Sequence, residues 1–150
     1  MEKAKVAILK AEIQSQLSEI EKVYQRIEER KNPKTRVDLE SLSFWLHNLY
    51  CAFEDLFKIV ARFFENNITS RDHYHVELLK RMTVPIQGVR PALLSDKTYI
   101  LLDKLRAFRH VIRHAYVYDL DERQVRLVLE DALKLKSLYA KEAHHFLSNF

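Results

Sequence analysis

The feature that most limits how this chain can fold is its near lack of helix-breaking residues. One glycine and three prolines occur in 150 residues, and Pro85, Gly88 and Pro91 lie close together. Glycine and proline are the residues that most disfavour helix interiors. The sequence therefore predicts an all-α fold, an antiparallel bundle of four to five long helices, whose main break is a loop over residues 83–94.

Apolar residues recur every three or four positions in the first two predicted helices. In residues 2–31 they form one stripe of an amphipathic helix, and Pro33 ends it because proline disfavours helix in the residue before it. The second helix begins at a cap, Thr35 or Asp38, and runs to about Asn66 with a wide apolar face. So broad a face predicts burial on two sides, either at the centre of the bundle or against a second subunit.

Three further helices are each predicted to begin at a capping side chain. The third, a short helix, follows Ser70 or Asp72, and the fourth follows Ser95. The last begins at Asp121 and runs nearly to Phe150. The residues of the short helix expected to face the core are Val76, Leu79 and Met82.

Charge and cysteine content narrow the class of protein. The net charge of +4 and the pI of about 9.1 favour a polyanionic partner only where the positive charge is concentrated locally. A single cysteine excludes an intrachain disulfide, and Cys51 lies in an apolar helical pattern that predicts a small core residue. We find no signal peptide and no apolar run of about 18 residues, so we expect a cytoplasmic protein with no membrane association.

Positive charge is concentrated at the end of the fourth predicted helix. Three arginines and two histidines fall within nine residues there, at Arg106, Arg109, His110, Arg113 and His114. Arginine stays charged and binds phosphate oxygens with paired N–H groups, while histidine can accept or give a proton near neutral pH. RNA cleavage needs a base for the 2′-hydroxyl, an acid for the leaving 5′-oxygen and positive charge on the phosphate. The segment therefore supplies the groups for a ribonuclease centre that needs no metal or cofactor.

Helix geometry restricts how this centre could work. Arg109 and His114 are five residues apart, which places them about 140° apart around a regular helix. They can act on one phosphate only if the helix frays near His114 or if a second copy in a symmetric dimer completes the site. The residue types alone also leave open a solvated basic helix end, because cations are favoured at a helix C-terminus.

Polar residues outside this segment could position its side chains or form a separate binding site. Three of them interrupt the apolar face of the second helix, namely Asn48, Glu54 and Asp55. Either all three lie on the polar edge of the second helix, or one of them braces a site residue on a neighbouring helix. His73 and His75 would face opposite ways on a helix and are expected to be solvated rather than metal ligands. Arg90, beside Pro91, is expected to be structural rather than a phosphate ligand.

The pattern Arg109-His110-x3-His114-x-Tyr116 resembles the signature of HEPN-domain ribonucleases. Its tyrosine is similar to that of the HepT branch of toxin–antitoxin toxins. The likeness extends over most of the chain and includes the segment around Glu54 and the Val89-Arg90-Pro91 loop. It implies one HEPN-like helical domain over residues 1–150.

The resemblance also implies an activity and partners. Two motifs in a homodimer would form one cleft that cleaves RNA, either tRNA or mRNA, without a metal. Arg109 and His114 would be the catalytic residues. The supporting or RNA-binding residues would be Arg106, His110 and Arg113. An MntA-like minimal nucleotidyltransferase antitoxin would neutralise the toxin by transferring AMP to Tyr116.

Two alternatives remain open from the sequence. The first is a non-catalytic HEPN module that binds RNA or nucleotide and serves as partner subunit of a nucleotidyltransferase. The second is a structural bundle that merely ends one helix with basic residues. RNA binding that weakens with salt would argue against the second, because phosphate contacts depend steeply on salt.

Overall fold

Five α-helices make up the part of the chain that the computed structural model describes, residues 2–64, 73–115 and 119–150. They are α1 (Lys3–Glu28), α2 (Arg36–Phe64), α3 (Tyr74–Arg81), α4 (Asp96–Arg113) and α5 (Glu122–Leu147). These ranges contain no strand, and a single isolated β-bridge joins Ile86 to Arg90 in the loop between α3 and α4. The predicted all-α bundle and its loop are confirmed.

Helix α2 is the centre of the bundle. It contacts each of the other described helices, α1, α3, α4 and α5. Its wide apolar face is therefore explained by its central position, one of the two alternatives that the sequence left open. After its first turn, the exposed residues of α2 form one narrow stripe, which consists of Glu40, Phe44, Cys51, Asp55 and Arg62.

Two of the predicted cap residues act together at the start of α2. The Asp38 backbone N–H donates to the Thr35 hydroxyl at 3.1 Å, and the Thr35 N–H donates to the Asp38 carboxylate at 3.1 Å. This reciprocal pair satisfies backbone donors that the first turn of a helix leaves open. Hydrogen bonds from the backbone of Lys34 and Thr35 lower the pKa of Asp38.

The caps predicted for α4 and α5 are also present. The Ser95 hydroxyl accepts from the Thr98 N–H at 3.2 Å, and the Asp121 carboxylate accepts from the Arg123 N–H at 2.9 Å. Both side chains complete the first turn of the helix that follows. The caps predicted for the short helix, Ser70 and Asp72, lie outside the described residues.

A cluster of aromatic rings joins α1, α2 and α5 in the core. The rings of Tyr24 and Tyr139 stack at a centroid distance of 5.7 Å, and Phe53 meets Tyr139 edge-on at 5.1 Å. The Tyr24 hydroxyl donates to the Ala132 carbonyl at 2.8 Å, which satisfies a polar group in an apolar interior. Burial raises the pKa of Tyr24, so this hydroxyl keeps its proton.

The loop between α3 and α4 is organised around a buried arginine. Arg90 is 4% exposed, and its guanidinium donates to the carbonyls of Val84, Pro91 and Arg81 at 3.0 to 3.1 Å. Gly88 has a φ of 77°, which glycine adopts readily and other residues rarely do. The expectation that Arg90 is structural is confirmed.

Two predictions about burial are wrong. Cys51 is exposed rather than in the core, because it lies on the narrow solvent stripe of α2. Val76 is 39% exposed, and Leu78 is buried in its place. Leu78 and Leu79 form the buried face of this short helix, and Met82, which follows the helix, is also buried. None of the helices in the described ranges has the length and apolar character needed to cross a membrane.

Candidate functional site

A groove of about 630 Å³ lies between α3 and the second half of α4. Among the described residues, those that line it include three arginines and four histidines but no carboxylate. The lining residues are His73, His75, Val76, Arg106, Ala107, Arg109, His110, Arg113 and His114. A concave surface with this composition is suited to an anionic ligand.

The end of α4 brings Arg109 and His114 to the same groove. The α-helix ends at Arg113, and His114 has non-helical dihedral angles, φ −109° and ψ 9°. The N–H groups of His114 and Ala115 bond to carbonyls three residues back, at 3.3 and 3.2 Å, as in a tightened last turn. His114 thus leaves the regular helical path, as a frayed helix end would require, and it lines the same groove as Arg109.

Two further contacts order the wall that α4 contributes. The imidazole rings of His110 and His114 lie with their centroids 4.3 Å apart. The Arg106 guanidinium contacts the Asp103 carboxylate through Nε at 2.9 Å and Nη2 at 2.8 Å. Arg106 is therefore held by its own helix. All five residues predicted for the site on α4 and at its end lie on this groove.

Helix α2 places a histidine behind the arginines of α4. Burial and then the guanidinium groups of Arg109 and Arg113 lower the pKa of His47, while Glu54 opposes this shift. His47 is therefore neutral at neutral pH. Its Nδ1 atom is buried and has no hydrogen-bond partner within the described part of the chain.

A buried carboxylate of α2 holds a histidine on the other wall of the groove. Glu54 is 6% exposed, and its Oε2 atom lies 2.7 Å from Nδ1 of His75. The Nζ atom of Lys58 lies farther away, 3.9 Å from Oε1 of Glu54. Of the three polar residues that interrupt α2, Glu54 thus braces a groove residue. The other two do not, since Asp55 is exposed and the Asn48 amide donates to the Phe44 carbonyl.

The expectation that His75 is solvated is wrong, and so is the expectation that His73 and His75 face apart. The two residues do not share a helix, because α3 begins at Tyr74 and His73 precedes it. Both side chains line the groove, and His75 is partly buried. A signal was available in the sequence, because a carboxylate on an apolar helix face needs a partner. Nothing in the sequence spacing identified His75 as that partner.

The predicted modification site, Tyr116, lies outside the described residues. A second cavity, of about 440 Å³, is lined by residues on either side of that segment, including His110, His114, Asp119 and Leu120. His110 and His114 line both cavities. Within residues 2–64, 73–115 and 119–150, no group of three histidine, cysteine or carboxylate side chains is arranged to hold a metal ion.

Comparison with known proteins identifies the family. No curated protein and no solved structure matches the chain significantly. A family model described as HepT-like protein matches residues 41–150. The match covers well over half of the chain and includes every residue of the groove. The chain therefore belongs to the HepT-like family of HEPN-domain proteins.

Proposed function

We propose that this HepT-like protein is an endoribonuclease toxin that cleaves tRNA or mRNA in the groove between α3 and α4. The observation that carries the proposal is that Arg109 and His114 line one groove among further arginines and histidines. No carboxylate lines that groove in the described part of the chain, so a polyanion meets no like charge on its walls. Family membership supports a toxin-like HEPN module.

The chemistry follows from the side chains present. A base removes the proton of the RNA 2′-hydroxyl, the 2′-oxygen attacks phosphorus, and the bond to the 5′-oxygen breaks as an acid protonates that oxygen. The products are a 2′,3′-cyclic phosphate and a 5′-hydroxyl, and no metal is required. Arg109 binds the phosphate oxygens and offsets the charge that builds on them. His114 transfers a proton, and Arg106, His110 and Arg113 support it or bind neighbouring phosphates.

The proposal includes a homodimer in which two grooves adjoin. Apolar residues next to the end of α4 support it, because Phe44 is 57% exposed and lines a cavity of about 370 Å³ with Ile112, Ala115 and Leu120. Exposed apolar surface of this kind is typical of protein interfaces. Sedimentation of the purified protein at several concentrations would report the dimer.

The proposed partner is a minimal nucleotidyltransferase antitoxin that transfers AMP to Tyr116. An adenylyl group adds negative charge beside a groove that must receive RNA, so it opposes binding. Co-expression with such an enzyme is expected to raise the intact mass by adenylyl groups. Tyr116→Phe should abolish the increase, whereas Tyr118→Phe, a matched change two residues away, should keep it.

Expression in growing cells tests the toxin assignment. The parent protein is expected to arrest growth, and Arg109→Ala and His114→Ala are expected to be tolerated. His144→Ala, which changes an exposed histidine of α5, serves as the control and should arrest growth like the parent. If Arg109→Ala and His114→Ala arrest growth as strongly as the parent, the assignment is wrong. A parent that binds RNA but leaves it intact would instead favour the non-catalytic binding module.

A further inference from the structure

His75 is held against the groove in the way that proton-transfer histidines are held in enzymes. Its Nδ1 atom lies 2.7 Å from Oε2 of Glu54, a carboxylate that is 6% exposed. Its side chain also lines the groove that contains Arg109 and His114. The pair therefore connects the buried centre of the bundle, on α2, to the groove through a residue of α3.

The contact with Glu54 decides which ring nitrogen of His75 is available. An ionised carboxylate can only accept hydrogen bonds, so Nδ1 of His75 carries the proton that it donates to Glu54. The neutral ring then has its lone pair on Nε2, the nitrogen that Glu54 leaves for a ligand. A buried carboxylate that fixes the tautomer and compensates the charge formed on the ring is the arrangement that serves general bases.

The proposed reaction requires two proton transfers, and His114 accounts for only one of them. We propose that His75 is the second proton-transfer group of the groove and acts as its general base. Nε2 of His75 takes the proton of the 2′-hydroxyl, the 2′-oxygen forms its bond to phosphorus, and His114 gives a proton to the departing 5′-oxygen. This inference rests on the proposed ribonuclease activity. Glu54 acts through His75 and is a positioning residue.

Two matched substrates separate the base from the acid. One is an oligoribonucleotide, and the other has the same sequence with sulfur in place of the 5′-oxygen at the scissile phosphate. Sulfur departs as a thiolate without a proton, so the second substrate needs the base but not the acid. His75→Asn should slow cleavage of both substrates by about 100-fold or more. His114→Ala should slow cleavage of the normal RNA by a similar factor and of the sulfur substrate less than about tenfold.

These variants separate the loss of the base from a loss of folding. Asparagine at position 75 places an amide donor near the site of Nδ1 and keeps a hydrogen bond to Glu54 while removing the base. Glu54→Gln should reproduce the His75→Asn pattern on both substrates with a loss of at least about tenfold. His144→Ala should match the parent. Thermal melting and binding of a 2′-deoxy analogue, which lacks the attacking hydroxyl, should be nearly unchanged in His75→Asn.

The outcomes distinguish this inference from the function on which it rests. A parent that cleaves neither substrate overturns the ribonuclease and the role of His75 with it. An active parent whose His75→Asn variant cleaves both substrates within about threefold of the parent rate overturns the role of His75 alone. A His75→Asn variant that is slow on normal RNA but fast on the sulfur substrate also overturns the assignment as base.

Discussion

The imidazole rings of His110 and His114 lie with their centroids 4.3 Å apart and their planes inclined by 56°. His110 is the one histidine within α4, and His114 follows the final helical residue, Arg113. His114 is exposed and has left the regular backbone path, so the helix does not by itself fix the direction of its ring. The contact with the His110 ring helps to orient the His114 ring.

Removing His110 should therefore impair catalysis less than removing His114. We expect His110→Ala to lower the single-turnover cleavage rate by roughly tenfold, because the His114 ring loses a neighbour that limits its orientations. His110→Phe keeps an aromatic ring at this position and should retain more activity than His110→Ala. Single-turnover cleavage rates measure both. Equal rates for the two variants would contradict a packing role for His110.

RNA binding should weaken with salt, and the arginine at the end of α4 should contribute to that dependence. Arg113 is exposed and lines the groove. Arg113→Ala should reduce the slope of log K against log salt by about 0.7, the value for one phosphate contact on single-stranded nucleic acid. Arg123→Ala removes the same charge from the exposed start of α5 and should leave the slope unchanged. Equal slopes for Arg113→Ala and the parent would show that Arg113 does not contact an RNA phosphate.

His47 should make the fold less stable as the pH falls from about 7 to 5. Its pKa in the folded protein is below the ordinary value of 6.5, owing to burial and then to Arg109 and Arg113. On acidification His47 is protonated first in the unfolded chain. Its contribution to stability is therefore fully present above pH 6.5, and it is lost as the pH falls toward the lower pKa of His47 in the folded protein. The His47→Gln variant should lose less stability than the parent between about pH 7 and pH 5. Urea unfolding at both pH values measures the difference, and identical losses in the two proteins would contradict it.

The helices and their caps could be predicted because local patterns encode them. The capping residues Thr35, Asp38, Ser95 and Asp121 make the bonds expected of their side chains. The five-residue spacing of Arg109 and His114 predicted a frayed helix end or a second subunit, and α4 ends between the two residues, at Arg113. These features depend on residues close together in the chain.

The other wall of the groove could not be predicted, because it depends on contacts between helices. Glu54 and His75 are 21 residues apart, and helix periodicity says nothing about whether α2 and α3 bring them together. The start of α3 at Tyr74, one residue after His73, also put both histidines on the groove. Cys51 was wrongly placed in the core because the apolar face of α2 is wide, and the sequence pattern did not locate the narrow exposed stripe that contains Cys51.

Cleavage of purified RNA tests the central claim most directly. The parent, Arg109→Ala, His114→Ala and the control His144→Ala would be incubated with tRNA and with mRNA in the presence of a chelator. We expect the parent and the control to produce fragments with 2′,3′-cyclic phosphate and 5′-hydroxyl ends. Arg109→Ala and His114→Ala should be slower by about 100-fold or more, with RNA still bound by His114→Ala. Intact RNA with the parent, or equal cleavage by all four proteins, would contradict a ribonuclease centre at Arg109 and His114.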